Sequence, residues 1–249
     1  MKVTVSHNGV ELKADLNQGI DLSIPVKLGE TVNAYYAPPV AIEPYRQGDW
    51  IGDVASGGVV NYRNIFFNPH GHGTHTECVG HIDKTIHSVN EHFKAFHLIA
   101  QLISITPTKL ENGDLAIQKA QLESLNLESA EAIIIRTNPN DETKLTRNYS
   151  GQNPPYLEAA AIEFLVANGC KHLILDVPSI DRESDEGKLL GHRAFWNYPE
   201  NSRMDSTVTE LAFIPNSVED GLYFLNLQVA PFENDAAPSR PVIYPLTKV

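Results

Sequence analysis

NPHGHGTHTECVGHI, residues 68–82, holds four of the chain's ten histidines, His70, His72, His75 and His81, with Glu77 seated among them. In an extended segment residues two apart point to the same side, so His75 and Glu77 present an imidazole and a carboxylate together, roughly 6–7 Å apart at their Cα atoms. Such a pair can share a metal ion. Gly71 and Gly73 remove Cβ atoms beside the candidate ligands and open φ values closed to other residues, which lets the chain curl around a cation. His70 or His72 supplies a further nitrogen. A lone histidine in a loop is ordinarily solvated, but this many imidazoles around one acid point to a metal site on spacing and ligand chemistry alone. Cys78 should face the other side of the strand and serve packing.

The flanking sequence supplies the fold class. Val59–Phe67 alternates well enough to be a strand leading directly into the histidine cluster, which places the cluster at a strand end. Val3–Val5 and Val10–Ala14 flank His7-Asn8-Gly9, a hairpin pattern. Residues 35–58 are rich in proline and glycine and read as a long, functional loop. Leu98–Ile105, Ala132–Thr137 and Leu173–Val177 are apolar strand candidates. Pro154 and Pro155 suit the first turn of a helix whose Leu157, Ala161, Phe164 and Leu165 share a face and whose stop is Asn168-Gly169. Three apolar segments close the chain, Val208–Ile214, Leu222–Val229 and Pro241–Leu246, separated by turn-rich stretches such as Asn216-Ser217 and Asn234-Asp235. The expectation is an α+β fold with a substantial sheet, one domain over residues 1–249, with no dividing linker.

Composition narrows the function classes. The 31 acidic against 19 basic residues give a net charge of −12, which repels phosphate backbones and anionic membranes and argues against nucleic acid as a partner. Two cysteines in 249 residues do not make a disulfide framework. The opening MKVTVSHNGVELKAD lacks the apolar run of a signal peptide, and no stretch approaches the ~18 apolar residues of a membrane span. The chain reads as a cytoplasmic protein acting on a small molecule.

A second supply of ligands lies far along the chain. DVPSIDRESDEGKLLGHRAFW, residues 176–196, carries Asp176, Ser179 and Asp181 after a strand, then His192; Ser179 and Asp181 equally suit capping and turn formation. Glu210 falls inside the apolar run VTELAFI, where a carboxylate is costly unless it is paired or coordinates a cation. Alternation sets it on the face of Val208 and Ala212, with Arg136 or Arg193 as its alternative, purely structural partner.

The run Gly73-Thr74-His75-Thr76-Glu77 with His81, then Ser179-Ile180-Asp181, His192 and Glu210 in that order, resembles the cyclase-type metal-dependent hydrolases that include bacterial kynurenine formamidase and isatin hydrolase. Gly19–Pro25 is similar to that family's opening strand, so the likeness spans most of residues 19–246. The resemblance implies a mixed-sheet, barrel-like core with surrounding helices, of the swivelling β/β/α kind. It implies hydrolysis of a C–N bond in a small amide, formamide or lactam, with zinc first and manganese second as the divalent ion. His75 and Glu77 would be ligands, His192 and Glu210 would complete the shell, and His81 would be the general base. A homodimer or homotetramer is implied too, a neighbour's loop helping to close the pocket. The chain departs from the family pattern at Gly71, where a histidine is usual, so that His70 or His72 must stand in for it; His70 is placed in the ligand set. Glu77 replaces an aspartate, Val79 a proline, and Phe195–Pro199 sits in a longer connection between His192 and Glu210. The Tyr35–Trp50 loop and Phe195–Tyr198 supply either aromatic walls over the metal or ordinary loop packing and subunit contacts. A lyase or lactone-forming cyclase, or a non-catalytic metal binder, would use the same constellation.

Overall fold

The computed structural model describes residues 1–249. The alternation at the start becomes a hairpin of β1 (Lys2–His7) and β2 (Val10–Asp15), turned at Asn8 and Gly9, both at positive φ. Seven further strands follow: β3 (His75–Glu77), β4 (His97–Ile105), β5 (Ala132–Thr137), β6 (His172–Leu175), β7 (Thr207–Glu210), β8 (Gly221–Val229) and β9 (Ala236–Lys248). They run in the order β9-β8-β4-β5-β6-β7-β3, and β3 pairs back onto β9, so the mixed sheet closes into a barrel. The pairs from β4 through β7 are parallel and the remainder antiparallel. This is the α+β, barrel-like architecture that the sequence led us to expect.

The parallel strands explain their own composition. A strand covered on both faces favours apolar side chains, and β5 and β6, buried at every residue, are apolar except at their ends, Arg136-Thr137 and His172. Ile133, Ile135, Leu173 and Leu175 face outward against α1 (Ala159–Ala167) and α2 (Leu190–Trp196), where Ile162, Leu165, Phe195 and Trp196 pack on them. The alternate residues Ala132, Ile134 and Ile174 join Leu102, Leu225 and Ile243 inside the barrel. No helix is long and apolar enough to cross a membrane.

Several boundaries differ from the sequence reading, among them the start of β9, which lies at Ala236 rather than Pro241. Only Arg63–Phe66 of the 59–67 run is a strand; it pairs with Ala41–Pro44 in an exposed ribbon, and a loop separates it from the histidines. Residues 35–58 therefore carry short strands rather than an unbroken loop. Helix α1 starts at Ala159, after the prolines, because Tyr156–Leu157 pairs with Leu115–Ile117 and the Leu157 N–H bonds to the Ile180 carbonyl; the stop at Asn168-Gly169 stands. Strand β7 ends at Glu210 because Leu211 adopts a φ of 54° and breaks the alternation. Glu210 keeps the outward face of Val208, but Ala212 crosses to the barrel interior.

Thr74 fastens this break to the N-terminal segment. Its hydroxyl donates to the Leu211 carbonyl at 2.5 Å and accepts the Ile24 N–H at 2.7 Å, all buried. Thr74→Val keeps the shape and strands both backbone groups, so urea unfolding should show a loss of about 1–3 kcal/mol. An unchanged midpoint would mean that the two groups find other partners.

Candidate metal centre

Pairing register builds the site. Along β3, His75 faces Glu210 across the ladder to β7, and Glu77 faces Val208 there and Ala236 on β9. Thr76 between them turns to the Thr209 hydroxyl at 2.7 Å, and Cys78 packs in the barrel interior as expected. His75, Glu77 and Glu210 thus converge on the outer face, with His75 Nε2 3.4 Å from Glu210 Oε2.

Helix α2 delivers His192 to the same place. Its Nε2 lies 3.1 Å from Glu77 Oε1 and its Nδ1 2.6 Å from Asp181 Oδ2. Asp181 also accepts the backbone N–H groups of Gly191 and His192, so one carboxylate caps the helix entry and fixes the imidazole's second nitrogen. Gly191 is needed for that approach, because a Cβ there would lie 2.8 Å from Asp181 Oδ1.

The structure chooses between His70 and His72. His70 Nδ1 is 3.1 Å from Glu77 Oε2 and its ring centroid is 5.2 Å from that of His75. His72 is buried elsewhere, its Nδ1 accepting the Asn68 N–H at 2.9 Å and its Nε2 3.2 Å from the Asn33 amide. Residue 71 has no room for any side chain, since a Cβ would sit 2.6 Å from that of Ala37. His81 completes the group, its ring 4.4 Å from His70 and 5.2 Å from His192.

The alternative partners of Glu210 are absent: Arg136 bonds to Asp220 and to the Pro215 and Val218 carbonyls, and Arg193 lies over Tyr198. Glu210 Oε1 accepts the Ile180 N–H at 3.0 Å instead. One carboxylate that the sequence reading left in a turn belongs to the cluster: Asp235 Oδ2 lies 2.9 Å from His70 Nε2 and 3.3 Å from His81 Nδ1. Its Asn-Asp context has the residue signature of a bend, and only the pairing of β9 with β3 brings it here.

The donor set fits a divalent cation. His75 Nε2 and Glu77 Oε2 are buried without a hydrogen-bond partner, although Glu210 and His70 stand 3.4 and 3.1 Å from them. Donor atoms that crowd together without bonding are what ligands of one ion look like. Electrostatics agrees. Burial alone would lower His192 and His70, but Asp181 and Glu77 around the first, and Asp235 and Glu77 around the second, push each up to about 10. Burial would raise Glu77, yet His81, His192 and His70 hold it well below the usual carboxylate range. The site draws in positive charge.

A cavity of about 260 Å³ opens beside these groups, lined by Ala34, Tyr35, Ala37, His81, Ser179 and Glu210 among others. Tyr35 and Tyr36 both sit in the left-handed region, a costly turn for non-glycine residues that lays Tyr35 on the cavity wall. For the other aromatic residues the structure takes the packing alternative. Tyr45, Trp50 and Tyr62 pack against one another, tilted or edge to face, beside the exposed ribbon. Phe195 and Trp196 are fully buried in the outer core, Trp196 behind the His192 ring.

The family model "Putative cyclase" matches residues 20–182. A kynurenine formamidase of Bacillus cereus is 30% identical over 168 residues, which is 67% of this chain and 75% of that protein. One from Bacillus anthracis is 29% identical over the same share. Among solved structures, isatin hydrolase A from Labrenzia aggregata superposes with a TM-score of 0.64 at 16% identity, covering 91% of this chain and 93% of that one. A structure described as a potential metal-dependent hydrolase with cyclase activity gives 0.62 at 16% identity over 91% and 97%.

In metal-free protein at pH 8 both raised histidines still carry a second proton, because about 10 lies above that pH. Cation binding must displace it from each ligating nitrogen, so calorimetry in buffers of different ionisation enthalpy should register about two protons released per chain. Release of none would mean that the imidazoles are neutral beforehand.

Proposed function

The chain belongs to the cyclase family, and we propose that it is a metal-dependent hydrolase cleaving the C–N bond of a small amide, formamide or lactam. The observation that carries this reading is the pair of buried, unpartnered ligand atoms, His75 Nε2 and Glu77 Oε2, set next to a cavity that holds the imidazole of His81. His70, His75, Glu77, His192 and Glu210 would hold the divalent ion. Such an ion acidifies bound water and polarises a carbonyl. Zinc suits this mixture of imidazoles and carboxylates best, with manganese second.

The chain's own groups do the rest. His81 directs Nδ1 at Asp235, which leaves Nε2 to take a proton from the attacking water and return it to the departing nitrogen; an imidazole can pass protons in both directions near neutrality. Ala34, Ala37 and Tyr35 give an apolar wall, and Tyr35 is anchored by its hydroxyl donating to the Pro178 carbonyl at 3.2 Å. A cavity of about 260 Å³ suits a compact acyl or cyclic substrate. The exposed ribbon carries Ile65 and Phe66, and Val59 and Val60 are exposed just before it, apolar surface that supports a homodimer or homotetramer. The two free, buried thiols fit a reducing cytoplasm.

A panel of aryl formamides, lactams and lactones in ¹⁸O-labelled water tests the reading. Zinc-loaded protein should place ¹⁸O in the product carboxylate and lose activity to a chelator. Product without label would favour a lyase; inertness with tight zinc binding would favour a binder. His81→Ala should lower kcat by roughly 10²- to 10⁴-fold and retain its zinc. Loss of zinc from that folded variant would overturn the assignment of His81 as base rather than ligand.

A further inference from the structure

Asp235 stands at the entry to β9, outside the 20–182 stretch that the family model matches. Its main chain is pinned to the strand that carries Glu77. The Asp235 carbonyl accepts the Cys78 N–H at 3.0 Å, the Asn234 carbonyl accepts the Val89 N–H at 2.9 Å, and Ala236 pairs with Glu77. The point from which the carboxylate starts is therefore fixed. From this fixed point a single oxygen, Oδ2, reaches Nε2 of His70 at 2.9 Å and Nδ1 of His81 at 3.3 Å, both in hydrogen-bonding geometry.

We propose that Asp235 is a positioning residue that sets opposite tautomers on two histidines through one oxygen, aiming His70 at the cation and His81 at the substrate. The reasoning is one of proton inventory. A neutral imidazole carries its proton on one nitrogen and a lone pair on the other, and a carboxylate, which can only accept, selects the nitrogen that keeps the proton. On His70 the proton stays on Nε2, so Nδ1, 3.1 Å from Glu77 Oε2, offers its lone pair to the ion. On His81 the proton stays on Nδ1, so Nε2 is the nitrogen with a lone pair for a proton from water. Asp181 performs the first of these duties for His192, whose Nδ1 it holds while Nε2 faces Glu77. Asp235 performs both at once, and it ties the ligand sphere to the proton carrier.

This inference rests on the hydrolase reading for the role of His81, but two of its three readouts need no substrate. In zinc-loaded, ¹⁵N-labelled protein, at a pH that leaves uncoordinated imidazoles neutral, long-range ¹H–¹⁵N correlations should show His70 as the Nε2–H form and His81 as the Nδ1–H form. Competition with a chromophoric chelator should show Asp235→Asn binding zinc 10- to 100-fold more weakly than wild type. On whichever amide the wild type hydrolyses, Asp235→Asn should lower kcat at least tenfold with KM little changed, and Asp235→Glu should recover part of it. His81 appearing as the Nε2–H form in wild type overturns the proposal, a result available even if the variant fails to fold. So does a folded Asp235→Asn with wild-type zinc affinity and kcat, or one that loses a whole equivalent of zinc, which would make Asp235 a ligand. Failure of the wild type to turn over any amide counts against the hydrolase reading and leaves the tautomer and zinc measurements standing.

Discussion

Everything at the metal centre depends on the register of one three-residue strand. His75–Glu77 is wedged between β7 and β9 and closes the barrel by pairing with both. Side chains alternate along a strand, so a slip of one residue would turn His75 and Glu77 into the apolar interior and push Thr76 outward. Thr74 and the Thr76–Thr209 hydroxyl pair oppose that slip from inside the sheet. Barrel closure and assembly of the site are the same event, because ligands distant in sequence meet only when the ladder is complete.

Charge explains why the cluster is made of histidines. Glu77 and Glu210 are buried on the outer face of the barrel, and Asp181 and Asp235 approach within hydrogen-bonding distance of the same imidazoles. Buried carboxylates must be compensated. Elsewhere the chain compensates with fixed cations: Asp176 takes Lys144 at 2.7 Å, and Asp114 takes Arg182 at 2.7 Å. At the metal centre the groups facing the carboxylates are imidazoles, and the carboxylates push His70 and His192 toward their protonated form. Those protons can leave when an ion arrives, whereas a buried arginine would hold the site shut.

Much of this was legible in the sequence, and the failures share a cause. Strands β4, β5 and β8 were read from their apolar runs nearly to the residue, because the buried positions that make up most of each strand are filled by apolar side chains. His75 and Glu77 stood out by spacing and Glu210 as a carboxylate in an apolar segment, while His192 entered the set through the family resemblance; the structure brings them together with His70 and His81. The aromatic residues stayed ambiguous because ring count does not report direction: Trp196 braces His192 from behind. Asp235 was missed because asparagine followed by aspartate has the same local signature whether the bend is idle or holds two imidazoles. Local pattern gave the elements; what only the closed ladder determines stayed hidden.

The same ladder accounts for the chain's departures from its family's pattern. Backbone at residue 71 passes so close to Ala37 that no imidazole can start there, and an imidazole from residue 70 must come in at a different angle. Two features receive it. Glu77, one methylene longer than the aspartate usual at that position, sends one oxygen to His192 and the other to His70, each at 3.1 Å. Asp235 holds the far nitrogen of His70 at 2.9 Å. A shorter side chain at 77 would have to give up one of those approaches, and an idle residue at 235 would leave the relocated ring without a second anchor. The glycine, the shifted histidine and the longer acid therefore belong to one arrangement, and Asp235 supplies the second anchor that the relocated ring uses.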